Sequence, residues 1–135
     1  MQTFLPYSDF AASARALDYR RLGKQRVEAF QILKALRDPS YGWQNHPAVR
    51  MWRGYDTALK MYYNAIRREW IRRGYRNTMK PARIKVNEKV VMPIWLGDAD
   101  FHASHRSNLL RKDFEHYSRL GWDDDPNAEY IWPVS

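Results

Sequence analysis

The sequence contains no cysteine in its 135 residues. This absence excludes disulfide bonds, thiolate nucleophiles and cysteine-ligated metals. No apolar run approaches the ~20 residues that a membrane-spanning helix needs. The first residues, Met-Gln-Thr-Phe-Leu-Pro, also lack the basic and apolar segments of a secretion signal. We therefore expect a cytoplasmic protein with no membrane partner.

Three common catalytic and nucleotide-binding motifs are also missing. The sequence has no G-x-S-x-G, no G-x-x-x-x-G-K-[ST] and no G-x-G-x-x-G, which leaves acyl hydrolase, P-loop and dinucleotide-binding functions unsupported. His102 and His105 are three residues apart, but zinc needs three or four ligands, and only distant residues such as His46, His116 or an aspartate could complete the set. We expect neither a metal nor a cofactor.

Positive charge is in excess. The 23 Lys and Arg residues outnumber the 15 Asp and Glu residues, the net charge is +8, and 15% of the residues are aromatic. Cations can bind phosphates and aromatic rings can stack on bases, so nucleic acid is the leading class of partner. A basic protein whose aromatic residues fill its core would have the same composition, which leaves that alternative open.

The hydrophobic pattern predicts a mainly α-helical, compact single domain over residues 1–135, with about four helices and a long irregular connector. Ser8 can cap a first helix over about residues 8–20. Gly23 is a candidate break or kink before a second helix, which we expect to end at the turn 38–42.

The second half of the chain begins with a long periodic segment and then becomes irregular. A third and longest helix is expected from Pro47 up to Gly74, because proline is favoured at the first helical position. Residues 75–98 lose the helical period and should be extended, with at most a short strand. A fourth helix is expected over about residues 98–117, capped by an aspartate.

One stretch of the second helix combines many cations with a single carboxylate. Glu28 follows Arg20, Arg21, Lys24 and Arg26. A helical wheel groups Arg21, Lys24, Gln25, Glu28 and Gln31 on the side opposite the apolar residues Ala29, Phe30 and Leu33. A solvated surface ion pair between Lys24 and Glu28 is one interpretation. The other is catalysis on DNA, since the cations would draw a phosphate backbone towards the carboxylate.

Aromatic residues outside the periodic segments are candidates for stacking on a base. These residues are Tyr41, Trp43, Tyr130 and Trp132. Rings at helical spacing, such as Trp52 and Trp70, are more typical of a core.

Four stretches of the chain resemble the pyrimidine-dimer DNA glycosylase family, of the endonuclease V type of phages, and more closely its uncharacterised bacterial and phage relatives. The matching stretches are residues 9–14, 17–29, 45–49 and 102–112. The resemblance implies a compact, mostly helical fold and a glycosylase with coupled AP-lyase activity. The expected partner is double-stranded DNA carrying a damaged or modified base, bound by a monomer of the protein.

The resemblance also implies a mechanism. In that family an α-amine at the chain start attacks the sugar C1′ of the damaged nucleotide and forms a Schiff base, and a glutamate in an early helix assists. We carry the glutamate onto Glu28. Because Gln2 is too large for efficient removal of the initiator methionine, we assign the amine to Met1. The chain start should then lie within a few ångströms of Glu28, in a positive cleft.

A larger set of residues is expected to contact phosphates or the damaged nucleotide. These residues are Arg20, Arg21, Lys24, Gln25, Arg26, Asn45, His46, Arg50, His105, Arg106 and Lys112. Two other functions remain open at this point: a non-catalytic basic module that binds nucleic acid, and a helical protein-interaction domain with an acidic partner.

Overall fold

Six α-helices and one 3₁₀ turn make up the regular structure of residues 1–134, which are the residues that this computed structural model describes. The elements are α1 (Phe10–Ala16), α2 (Tyr19–Arg37), α3 (Pro47–Trp52), α4 (Asp56–Arg72), α5 (Ala99–Lys112), α6 (Phe114–Tyr117) and the 3₁₀ turn Ser118–Leu120. These residues include no strand, so the prediction of a mainly α-helical fold is confirmed. No helix among them has the length and apolar character to span a membrane.

The break predicted at Gly23 is wrong, because Gly23 lies inside α2. A β-carbon at this position would lie 3.0 Å from Cζ3 of Trp70 on α4. The glycine therefore lets the two helices pack closely. The chain instead changes direction at Leu17 and Asp18, whose extended backbones end α1 and begin α2.

The two other long helices predicted from the sequence are each divided. The segment 47–74 is interrupted at Gly54, whose φ of +89° is a left-handed conformation that favours glycine. Asp113 ends α5 and caps α6 by accepting the N–H of His116 at 3.2 Å. As a result α2, with 19 residues, is longer than either α3 or α4.

The connector between α4 and α5 is irregular, as predicted, and side chains of α4 hold its first part. The Tyr63 hydroxyl donates to the carbonyl of Lys80 at 2.6 Å, and Arg67 Nε donates to the carbonyl of Met79 at 2.7 Å. These bonds satisfy backbone groups that have no strand partner.

The N-terminal segment, residues 3–6, is buried in the core and bonds to side chains of several helices. The N–H of Leu5 donates to Nδ1 of His105 at 2.9 Å, and the carbonyl of Leu5 lies 2.8 Å from Nδ1 of His102. Trp52 Nε1 donates to the hydroxyl of Thr3 at 3.0 Å. The position of the chain start is therefore set by the core.

Burial on α2 differs from the helical wheel at two positions. Ala29 and Leu33 are buried as expected, but the Phe30 side chain is 42% exposed. Gln25, expected on the polar side, is only 1% exposed. Gln25 is buried because the N-terminal segment packs against α2 and offers it polar backbone groups. Phe30 instead lies in the wall of an open cavity.

Candidate functional site

The N-terminal segment meets α2 at the carboxylate of Glu28. The backbone N–H of Gln2 donates to Glu28 Oε2 at 2.9 Å. Gln25 Nε2 donates to the carbonyl of Gln2 at 3.0 Å and contacts the same carboxylate oxygen at 3.3 Å. One carboxylate oxygen is thus fixed by two donors, beside the start of the chain.

Gln25 is the residue that joins α2 to the N-terminal segment. Its Oε1 accepts the N–H of Phe4 at 2.9 Å and the hydroxyl of Tyr62 at 2.7 Å. The side-chain oxygen therefore faces two donors, while the amide nitrogen faces two acceptors. Burial raises the pKa of Tyr62 well above its ordinary value, so this hydroxyl remains a donor. Gln25 is held in a single orientation.

A cleft of about 280 Å³ opens beside Glu28. Its lining residues are Gln2, Phe4, Arg20, Arg21, Lys24, Gln25, Glu28 and Lys112. Four of these side chains are cations and one is a carboxylate. Arg21 is paired with Asp18 at 3.2 Å, whereas Arg20, Lys24 and Lys112 are exposed. A cleft of this composition attracts an anion such as a phosphate.

His46 caps α3 close to the chain start. Its Nδ1 accepts the N–H of Ala48 at 3.0 Å, so the neutral ring carries its proton on Nε2. Burial, followed by the charge of the N-terminal amine, lowers the pKa of His46, and the charge of Glu28 opposes this shift. The imidazole therefore lies within the electrostatic influence of both groups and is neutral at neutral pH.

Two of the residues expected to contact DNA have structural partners instead. His105 is fully buried and accepts the N–H of Leu5, so it cannot reach a phosphate in this conformation. Arg106 donates to Asp124 at 2.8 Å and to the carbonyl of Pro6 at 2.8 Å. Both side chains hold the N-terminal segment in place through these bonds.

Three further candidates lie away from the cleft. Arg26 donates to Asn77 at 2.6 Å, and its guanidinium lies 4.5 Å from the ring centroid of Trp70. Asn45 and Arg50 are exposed, one just before α3 and the other within it, and neither lines the cleft. The structure therefore brings together Arg20, Arg21, Lys24, Gln25, Glu28 and Lys112 out of the predicted set.

A larger cavity, of about 520 Å³, lies between α2, α4 and the connector. Phe30, Leu33 and Tyr63 form part of its wall, and its cations include Arg37 and Arg83. Its lining contains no carboxylate and no histidine. The larger cavity thus lacks the acid–base groups that the smaller cleft provides.

The histidines that could have held a metal have other roles. His102 and His105 both bond to the backbone of Leu5. Among residues 1–134 no three His, Asp or Glu side chains converge as a metal site would require.

The sequence did not predict the bonds that Gln2 and Tyr62 make in the site: the N–H of Gln2 donates to Glu28, and the hydroxyl of Tyr62 donates to Gln25. The contribution of Gln2 is a backbone N–H, for which no residue-type signal exists. Tyr62 stands at helical spacing and is indistinguishable from other core rings. Tyr130 is expected from the sequence only to stack on a base, but its ring stacks on His105 with 4.5 Å between centroids.

Comparison with known protein families gives a match over the first part of the chain. A family model described as pyrimidine dimer DNA glycosylase matches residues 1–81, which is more than half of the 135 residues. The matched region contains α1 to α4, and with them Gln2, Gln25 and Glu28. Searches of curated proteins and of solved structures returned no significant match.

Proposed function

Because the chain belongs to the pyrimidine dimer DNA glycosylase family, we propose that it is a DNA repair glycosylase with AP-lyase activity on a damaged or modified base in duplex DNA. The observation that carries the proposal is the 2.9 Å hydrogen bond between the N–H of Gln2 and Glu28. It supports a reaction centre made of the chain start and one carboxylate, in a cleft rich in cations.

In the proposed reaction the N-terminal amine attacks C1′ of the damaged nucleotide. The bond from C1′ to the base breaks, and the base leaves with the electron pair and takes up a proton. The sugar ring then opens to an imine as its ring oxygen is protonated. Loss of a proton from C2′ expels the 3′ phosphate and cuts the strand.

Glu28 has two tasks in this scheme. Its negative charge stabilises the positive charge that develops on the sugar as the base departs. It also moves the proton between C2′ and the ring oxygen. The bonds from Gln2 and Gln25 hold one of its oxygens, which fixes the direction of the other.

The exposed cations of the cleft bind the DNA backbone. Arg20, Lys24 and Lys112 supply positive charge in the cleft that Glu28 lines, where the phosphates flanking the damaged nucleotide would lie. His46, which is neutral at neutral pH and within the electrostatic influence of the amine, contributes a hydrogen-bond donor.

We assign the amine to Met1, whose charge acts on His46. The atom that bonds to Glu28 is nevertheless the nitrogen of Gln2, which is an amide while Met1 is attached. A chain processed to begin at Gln2 would present its amine at the carboxylate. The covalent adduct of a chain that begins at Met1 is heavier than that of a chain that begins at Gln2, by the mass of one methionine residue.

Borohydride trapping on a duplex containing an abasic site tests the proposal. We expect a covalent adduct that disappears when the N-terminus is blocked, and peptide mass spectrometry of the adduct identifies Met1 or Gln2 as the attached residue. Glu28→Gln should lower the rate of strand cleavage by about 10²- to 10⁴-fold with little change in DNA binding.

The matched control is Glu115→Gln, which removes an exposed carboxylate on α6 that does not line the cleft. It should cleave at the unaltered rate. No adduct on any abasic or damaged duplex would refute the imine mechanism. Salt-sensitive DNA binding without base release or cleavage would then favour the non-catalytic module, for which the cationic cleft is the supporting observation.

A further inference from the structure

The larger cavity, between α2, α4 and the connector, has a wall that is fixed by hydrogen bonds. Tyr63 and Arg67 of α4 donate to carbonyls of the connector at 2.6 and 2.7 Å. Asn64, also on α4, forms two bonds with Ala82: its Nδ2 donates to the carbonyl at 3.0 Å, and its Oδ1 accepts the N–H at 2.8 Å. A ligand therefore meets a cavity that is already formed, which lowers the cost of binding.

The surface inside this cavity is mostly apolar and includes an exposed aromatic ring. Phe30, Leu33, Tyr63, Met79 and Pro81 contribute to the lining, and the volume of about 520 Å³ is that of a typical small-molecule site. The Phe30 ring is 42% exposed and lies 6.4 Å from the Tyr63 ring, at an angle of 45°. Because the two rings are tilted rather than stacked, Phe30 keeps surface on which a flat ring can pack.

Cations line the same cavity, and most of them are unpaired. Lys60 is paired with Glu88 at 3.2 Å. Arg37, Lys80 and Arg83 are exposed, and their side chains form no ion pair or hydrogen bond with any residue from 1 to 134. Since the lining contains no carboxylate, the charge that remains is positive and attracts an anion. The cavity therefore suits a ligand that joins a flat ring to an anionic group.

Helical geometry separates the larger cavity from the cleft beside Glu28. At 3.6 residues per turn, Phe30, Leu33 and Arg37 lie on the side of α2 roughly opposite Glu28. The two sites have no lining residue in common. DNA bound in the cleft therefore contacts a different side of α2, and the larger cavity stays open to a separate molecule.

We propose that the larger cavity binds a free nucleoside monophosphate, whose base stacks on Phe30 and whose phosphate contacts the unpaired cations. Stacking on an aromatic side chain suits every base, because every base has a flat face. An aliphatic anion would make no use of the exposed ring, and inorganic phosphate would make no use of the apolar wall. The site goes beyond the proposed function, since neither Glu28 nor the chain start takes part in it.

Isothermal titration calorimetry with 2′-deoxyadenosine 5′-monophosphate tests the proposal. We expect one molecule bound per chain, and binding weaker by about tenfold for 2′-deoxyadenosine and for inorganic phosphate, because each offers only part of the contacts. Phe30→Leu keeps an apolar side chain but removes the ring. It should weaken binding of the monophosphate by about tenfold and leave binding of inorganic phosphate unchanged. Equal affinity of the wild type and Phe30→Leu for the monophosphate, or no binding at millimolar concentrations, would overturn the proposal.

A second pair of variants tests the cations. Replacing Arg37 and Arg83 together by glutamine should weaken binding of the monophosphate by about tenfold and leave binding of 2′-deoxyadenosine unchanged. The matched control replaces Arg15 and Arg68, which are exposed, lie outside the larger cavity and remove the same charge. The control should bind the monophosphate as the wild type does. An equal loss of affinity in both double variants would overturn the proposal, because binding would then follow net charge.

A third experiment distinguishes the larger cavity from the cleft, which also attracts phosphates. Replacing Arg20, Lys24 and Lys112 together by glutamine should leave the affinity for the monophosphate unchanged. A saturating concentration of the monophosphate should not displace a labelled duplex from the wild type, as measured by fluorescence anisotropy. Loss of monophosphate binding in the cleft variant, or displacement of the monophosphate by the duplex, would overturn the separate site. These measurements do not depend on glycosylase activity, so the two proposals can fail independently.

Discussion

The backbone N–H of Gln2 donates to the carboxylate of Glu28 across 26 residues of sequence. This bond is one of several that fix the register of the N-terminal segment, together with those from Phe4 to Gln25 and from Leu5 to His105. A shift by a single residue would break all three. The proposed reaction centre therefore depends on packing in the core as much as on Glu28 itself.

Gln25→Leu should lower both stability and activity. The change leaves the N–H of Phe4 without its acceptor and removes a partner of Tyr62, so we expect the free energy of unfolding to fall by about 2–3 kcal/mol in urea titrations. Strand cleavage should slow more than DNA binding weakens, because Glu28 loses an orienting donor. Gln31→Leu, a half-buried site on α2, is the control and should change unfolding by less than about 0.5 kcal/mol. Equal stability of the two variants would contradict the bridging role of Gln25.

The cations of the cleft should control the salt dependence of DNA binding. Replacing Arg20, Lys24 and Lys112 together by glutamine should reduce the slope of log K against log salt by about 0.9 for each phosphate that is no longer neutralised. Fluorescence anisotropy at several salt concentrations measures the slope. Arg68→Gln, at an exposed position on α4 outside the cleft, should leave it unchanged. An equal decrease of the slope per removed charge in both variants would mean that binding follows net charge alone.

His105 should make the protein less stable as the pH falls. Burial lowers its pKa from 6.5 to about 3 in the folded protein. Between these values the unfolded chain binds a proton that the folded protein does not, so stability is complete above pH 6.5 and decreases towards pH 3. We expect a decrease of about 1 kcal/mol per pH unit in urea titrations between about pH 6 and pH 4.

His105→Phe separates this effect from the packing of the ring. The variant should be less stable at pH 7, because the N–H of Leu5 loses its acceptor, but its stability should depend less on pH. Burial also lowers the pKa of His102, so part of the slope should remain. An unchanged slope would show that His105 is not the titrating group.

Gly23→Ala should destabilise the protein although alanine favours helices. The new β-carbon would lie 3.0 Å from Trp70, whose indole N–H is bonded to the carbonyl of Arg76 and whose ring stacks on Tyr19. In a Trp70→Leu background the same change should become stabilising by up to about 1 kcal/mol, since the clash is gone and the helix propensity remains. Thermal unfolding of the four proteins measures this coupling, and its absence would contradict the close approach.

Local patterns predicted the helical class and grouped Glu28 with Arg21 and Lys24, which line the same cleft in the structure. Gly23 and Gly54 show what such patterns cannot predict. Both are glycines in segments predicted to be helical, but Gly23 allows close packing against Trp70, whereas Gly54 adopts a left-handed turn. Sequence cannot separate these roles, because the difference lies in what packs against each position.

The burial of Gln25 and the exposure of Phe30 also depend on what packs against each position. On an isolated helix the glutamine should face water and the phenylalanine the core. The buried N-terminal segment supplies the partners that make Gln25 stable inside, and no local rule reports a segment that arrives from 20 or more residues away. The burial of His105 could not be predicted for this reason too.

The two bonds that hold Leu5 join it to residues 97 and 100 positions further along the chain. During synthesis α5 emerges long after the N-terminus, so the bonds that fix Leu5 cannot form until α5 has been made. Closing so long a loop also slows folding relative to helical proteins with local contacts. A nascent chain of this protein is therefore expected to be inactive on DNA until α5 is in place.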